Sequence, residues 1–173
     1  MNRSYVELAL SLVFLTLLQV TLLRNLVVFD YASCFIYILP LLMFPMETSL
    51  VILMLAGFAL GISVDTFYDT QGIHAASCVL MMYFRPVVIR LLTPGGGYDA
   101  GTKLSPEELG WGWMLLYFVP LILTHHLALF FIEAGNVSMF WLTLAKALFS
   151  SLFTLTIILL VLYIRMPQKS SRL

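Results

Sequence analysis

Charge is what this sequence has least of. Lys, Arg, Asp and Glu make up 10% of its 173 residues, against 61% hydrophobic residues and a mean hydropathy of +1.00. A soluble domain needs a water-facing charged surface, so that class is excluded and the bilayer becomes the solvent. Nine basic and nine acidic residues balance to zero, and no nucleic-acid partner is expected. Cysteine is nearly missing. Cys34 and Cys78 both fall in apolar runs without metal-type spacing, which predicts buried free thiols. Histidine is limited to His74, His125 and His126, and no nucleophile stands with a base, so neither catalysis, nor a cofactor, nor a metal is indicated. No internal repeat is evident.

What the sequence does have is apolar runs, six of them, separated by short polar breaks. They extend over Tyr5–Leu23, Tyr31–Phe44 with Pro40 inside, Ser49–Val64, His74–Leu92, Trp111–Ile132 and Met139–Ile164, and a polar tail follows Arg165. A spanning helix needs about 20 such residues. The pattern therefore predicts one all-α domain over residues 1–165, a bundle of six transmembrane helices, with 166–173 as a short tail. The second and third runs read as a helical hairpin turning at Pro45–Thr48; both are short for a full crossing. The first run resembles a signal peptide, but Glu7 interrupts it and no small-residue cleavage site follows, so a retained anchor is expected.

Six crossings put both termini on one face, which then holds Arg3, Arg85, Arg90, Lys103, Arg165, Lys169 and Arg172, while the other holds only Arg24. Lys and Arg near short loops stay cytoplasmic, so both termini are expected inside a cytoplasmic (inner) membrane. Asp30, Asp65, Asp69 and Glu133 then lie toward the outside. The longest irregular stretch, Thr93–Gly110, carries Gly95, Gly96 and Gly97 but lacks the Gly-Lys-Ser/Thr of a phosphate cradle, and is expected to be a flexible loop. Ser105, Pro106, Glu107 and Glu108 mark a helix start. Trp111, Trp113 and Trp141 are placed as interface anchors.

Ionisable groups inside spans need a partner, a cavity or a route to the interface. Lys146 falls about 10 Å into the last run at 1.5 Å per residue, where it either pairs with Glu133 or Asp65 or snorkels outward. Neighbouring positions on a helix diverge by about 100°, so His125 and His126 are expected as neutral, hydrogen-bonded side chains rather than ligands of one ion. Arg85 and Arg90 flank Pro86; they are expected to reach the inner headgroups across a kink, or Arg85 to hold a partner. Gly57 and Gly61 give a small-residue face for close helix contact. Asp65 and Asp69, four apart, would share a helix face, and a polar helix end is the reading preferred over a cation or acid–base pair.

The stretch from Gly57 to Pro86 is the most specific. Gly57-Phe58, Gly61, Val64-Asp65-Thr66-Phe67, Thr70, Gly72, His74-Ala75-Ala76 and Tyr83-Phe84-Arg85-Pro86 together resemble the rod shape-determining MreD family. There a glycine-bearing helix runs into an Asp, a short loop closes on Gly, and an Ala-rich segment opens the next helix. Physically, the glycines permit close packing, Asp65 caps the turn, Gly72 takes a positive φ, and Ala75-Ala76 let the hairpin close. The resemblance implies a non-enzymatic subunit of the cell-elongation machinery, bound to an MreC-like bitopic partner. Through it the subunit would connect to MreB filaments, the RodA glycosyltransferase and a class B penicillin-binding transpeptidase, surrounded by membrane lipid. It also implies a fold similar to the substrate-binding membrane subunits of energy-coupling-factor transporters, and hence an alternative function in capturing a small molecule such as a vitamin. Gly57, Gly61, Asp65, Gly72, Arg85, Pro86, Glu133 and Lys146 are the structural or partner-binding candidates.

Overall fold

The computed structural model describes residues 3–28, 31–99, 101–136 and 138–166, with side chains from residue 6 onward. Asp30, the Arg3 side chain, Lys169, Arg172 and the tail from 167 lie outside the described residues. Among the described residues five helices are long and apolar enough to cross a membrane, and they make the chain an all-α membrane bundle. They are α1 (Arg3–Leu18, continued by a π-turn over Gln19–Leu23), α3 (Leu50–Tyr68), α4 (Ile73–Leu92), α5 (Pro106–Ala134) and α6 (Phe140–Arg165).

Their ends are set by local chemistry. Ser49 accepts a hydrogen bond from Ile52 N–H and starts α3. Ser105 accepts from Glu108 N–H, with Pro106 next to it, and starts α5. A break at Gly110, φ 81°, separates this first turn from the long helix that begins at Trp111. The turn between α3 and α4 puts Asp69 at φ 57° and Gly72 at φ 85°, the second as the sequence predicts. Asp69 therefore leaves the helix, is exposed, and shares no face with buried Asp65.

Consecutive long helices pack side by side as α3–α4, α4–α5 and α5–α6. Gln19, in the turn that ends the first helix, donates to the Tyr68 hydroxyl at the end of α3 (2.8 Å), so these two helices run parallel. The bundle thus has a hairpin end, holding the α3–α4 and α5–α6 turns, and a loop end, holding the α4–α5 connection and the last turn of α6. The loop between α4 and α5 is docked rather than loose: Leu104 is buried, and the Tyr98 hydroxyl donates to the Leu92 carbonyl while accepting from Trp113 Nε1–H.

The run from Tyr31 to Phe44 departs from the expected helix. It consists of β2 (Ala32–Ser33), paired antiparallel with β1 (Val27–Val28), then an extended Cys34-Phe35, a 3₁₀ turn over Ile36–Ile38 and the four-residue α2 (Leu39–Leu42). Even so it runs along the bundle interior, from Ser150 of α6 beside Ser33 to Arg85 of α4 beside Phe44. Geometry explains the choice. Fourteen residues of α-helix would reach only about 21 Å, short of the ~30 Å hydrocarbon core, whereas extended and 3₁₀ backbone rise about 3.3 and 2.0 Å per residue. Among the described residues the bundle is therefore five long apolar helices around one irregular segment, every residue of which is buried from Cys34 to Leu42.

Candidate functional site

Irregular backbone at membrane depth is tolerated only where protein groups satisfy its N–H and C=O, because hydrocarbon offers nothing. The side chains that do this for residues 33–45 form the polar interior of the molecule. Toward the hairpin end, Ser33 N–H donates to Ser150 Oγ and Phe35 N–H to Thr154 Oγ1, both at 3.0 Å. Gln19 Nε2 donates to the Cys34 carbonyl at 2.9 Å. Toward the loop end, the Tyr117 hydroxyl donates to the Leu42 carbonyl at 2.7 Å, and Arg85 Nη2 donates to the carbonyls of Phe44 and Pro45.

Arg85 is wholly buried, so it does not reach the headgroups as the sequence suggests; Arg90, one turn on, is exposed. Its Nε also donates to the Tyr117 hydroxyl at 2.7 Å, and its guanidinium lies 5.9 Å from that ring. No carboxylate pairs with it among the described residues. The cation instead faces the carbonyls of Phe44 and Pro45 just beyond α2, acceptors that no helical ladder satisfies. Pro86 follows within an α4 that stays helical from Ile73 to Leu92.

Asp65 is the counterpart at the hairpin end. Its Oδ1 accepts from His74 N–H (3.0 Å), His74 Nδ1 (3.0 Å) and the Thr70 hydroxyl, and its Oδ2 accepts from Ala75 N–H (3.0 Å). A carboxylate from α3 thus caps the first turn of α4, as the sequence reading has it. The two helices meet over Gly57 and Gly61. A Cβ at Gly61 would lie 2.3 Å from Ala75 Cα, and one at Gly57 3.1 Å from the Cys78 carbonyl oxygen. The small-residue face is consumed inside the hairpin and is not open to a partner helix.

Between these ends lies a histidine–aromatic cluster. His126 sits between the Ile122 carbonyl (2.8 Å) and Thr154 Oγ1 (3.0 Å). A carbonyl only accepts, so Nδ1 carries the proton and Nε2 accepts from the Thr154 hydroxyl. His125 Nε2 meets the Tyr37 hydroxyl at 2.9 Å, and Cys78 Sγ approaches the same hydroxyl at 3.7 Å. The rings of Phe35 and Tyr37 pack edgewise on His74, and both lie beside His125. Both cysteines are buried free thiols. No group of three His, Cys, Asp or Glu side chains is placed to hold a metal among the described residues.

Lys146 pairs with neither expected carboxylate. Asp65 is committed to the α4 cap, and Glu133 and Lys146 stay more than 4.0 Å apart, although both line one cavity of about 230 Å³ between α5 and α6. A second, open cleft on the α3–α4 turn is lined by Asp65, Asp69, Thr70 and Gln71. Gln19, Tyr37, Tyr117 and Thr154 were not singled out from sequence. The signal available for them was the shortness of the second run, which calls for side-chain partners elsewhere. Comparison with family models, curated proteins and solved structures finds no match for this chain.

Proposed function

We propose that this chain is a non-enzymatic inner-membrane subunit of a bacterial cell-elongation complex, binding an MreC-like bitopic protein and supporting peptidoglycan synthesis and cell shape. The observation that supports it most is the α3–α4 hairpin. Gly57, Gly61, Asp65, Gly72 and Ala75, which carry the resemblance to the MreD family, fit together as that pattern requires, in a glycine-packed, carboxylate-capped turn. The two most buried charged side chains, Asp65 and Arg85, are also committed to holding backbone, which suits a rigid assembly subunit better than a chemical site. Both termini face the cytoplasm in this reading, as the basic residues favour.

The alternative, a vitamin-capturing subunit with a fold similar to those of energy-coupling-factor transporters, fits less well. The centre of the bundle is filled by residues 34–42, the cavity between α5 and α6 is below the roughly 300–1,000 Å³ of usual small-molecule sites, and the larger cleft on the α3–α4 turn, about 530 Å³, is an open surface groove rather than an enclosed pocket. Affinity isolation of the tagged full-length chain from its own membranes tests the choice. The elongation reading expects a single-pass protein with a large periplasmic domain to co-purify in near-equal amount, and depletion of the chain to round the cells. Recovery of an ATPase module or of a tightly held vitamin, with rod shape intact on depletion, would overturn it.

A further inference from the structure

The cavity between the end of α5 and the start of α6 carries more chemistry than its size suggests. Its lining mixes apolar Phe130, Met139 and Leu142 with polar Glu133, Asn136, Thr143 and Lys146. Lys146 is half-buried and makes no ion pair or side-chain hydrogen bond among the described residues; Glu133 makes none either. A half-buried ammonium and an exposed carboxylate therefore border one space without closing on each other.

We propose that this cavity binds the ammonium–phosphate headgroup of a zwitterionic phospholipid, with Lys146 on the phosphate and Glu133 on the primary ammonium. Three features favour that chemistry. The two opposite charges face a shared volume of about 230 Å³, enough for a headgroup of this kind and too small for a large ligand. Thr143, buried in the same lining, adds a hydroxyl. Met139 in the lining is exposed, as are its chain neighbours Phe140 and Trp141, and an exposed Trp in the first turn of a long apolar helix marks the membrane–water boundary. Lys146 lies five positions deeper than Trp141, about 7.5 Å at 1.5 Å per residue, so its stem must extend outward for the ammonium to meet a lipid phosphate. Exposed Ile132 and Leu148 leave apolar surface nearby for the acyl chains. This inference is independent of the proposed function and would stand if that reading failed.

The test uses the full-length chain in detergent and native mass spectrometry. Phosphatidylethanolamine, phosphatidylcholine and phosphatidylglycerol with identical acyl chains are offered in competition, and soluble phosphoethanolamine is titrated separately. Phosphatidylethanolamine should be retained about tenfold over both others, since a primary ammonium hydrogen-bonds to Glu133 where a quaternary one cannot. Lys146→Met should remove most of that retention, and Glu133→Gln should reduce the preference over phosphatidylglycerol. Leu142→Trp fills the cavity with both charges in place and should also lower retention, which decides the matter if Lys146→Met fails to fold. Saturable binding of phosphoethanolamine without any lipid preference would overturn the lipid source in favour of a soluble zwitterion. Equal retention of the three lipids with no phosphoethanolamine binding, or wild-type retention in Leu142→Trp and Lys146→Met, would overturn the site altogether.

Discussion

The two ends of the bundle use the same device on different scales. At the hairpin end Asp65 satisfies N–H and O–H donors no more than ten residues away, all within the turn that joins α3 to α4. At the loop end Arg85 and Tyr117 satisfy carbonyls 40 to 75 residues away in the chain, tying α4 and α5 to the end of the irregular segment. Neither charge relies on a charged side chain of fixed opposite sign; Asp65 faces the open N-terminus of α4, and Arg85 the unladdered carbonyls just past α2. A buried charge therefore need not signal an ion pair or a catalytic group. The local version is a capped turn, and the remote version is a clamp on tertiary structure.

The comparison breaks most visibly at Gly61. Gly61→Val puts a branched side chain where even a Cβ overlaps Ala75 backbone, so the hairpin should separate at a cost above about 3 kcal/mol, with loss of folded protein from the membrane. Retention of a normal melting transition in detergent would mean that the two backbones are not in close contact. Next comes the clamp. Arg85→Met leaves the Phe44 and Pro45 carbonyls without this donor and should cost about 3 kcal/mol; Arg85→Lys, with charge but no fork, should recover part of it. Urea or detergent unfolding of the variants measures both, and full recovery by Lys would reduce the clamp to a point charge.

A smaller effect is expected for Asp65→Asn. Both Asp65 oxygens accept hydrogen bonds, so the amide puts a donor against a donor on one side and should cost about 1–2 kcal/mol. An undiminished melting temperature would show that one accepting oxygen suffices for the cap. The smallest signal is an expected zero. Since Asp65 and Lys146 do not meet, a double-mutant cycle of Asp65→Asn with Lys146→Met should be additive within about 0.5 kcal/mol. A coupling well beyond that would restore the pair considered from sequence.

The hairpin end was legible in sequence because its logic is local. Asp65, Gly72 and Ala75 sit within one turn and its flanks, and Gly57 with Gly61 announces close packing by spacing alone. The five long helices were legible because hydropathy reports burial in lipid without regard to partners. The Tyr31–Phe44 run was misread for the same reason: hydropathy cannot tell a helix from irregular backbone wrapped in protein. Its shortness was visible, but its partners, Gln19, Tyr117, Ser150 and Thr154, lie in other elements and look like ordinary span residues. Arg85 was misplaced because depth along a helix says nothing about which neighbours surround the side chain. Lys146 stands out in the sequence as a charge inside a span, but the cavity beside it is a tertiary feature.

The side chains that hold the irregular segment also set an order of events during synthesis. Residues 33–44 leave the ribosome well before Tyr117, and the contacts from Ser33 to Ser150 and from Phe35 to Thr154 span 117 and 119 residues. At about 5–20 residues per second, that is a delay of roughly 6 to 24 s. During it the segment has only the short turns over Ile36–Leu42, its β1 pairing and Gln19, and lacks the partners from α4, α5 and α6, so its remaining open backbone groups close hydrocarbon to it. The first helix must therefore wait beside an unfinished crossing, shielded by the insertion machinery or held at the interface, until the C-terminal half arrives. Assembly of this bundle closes from its end back to its beginning.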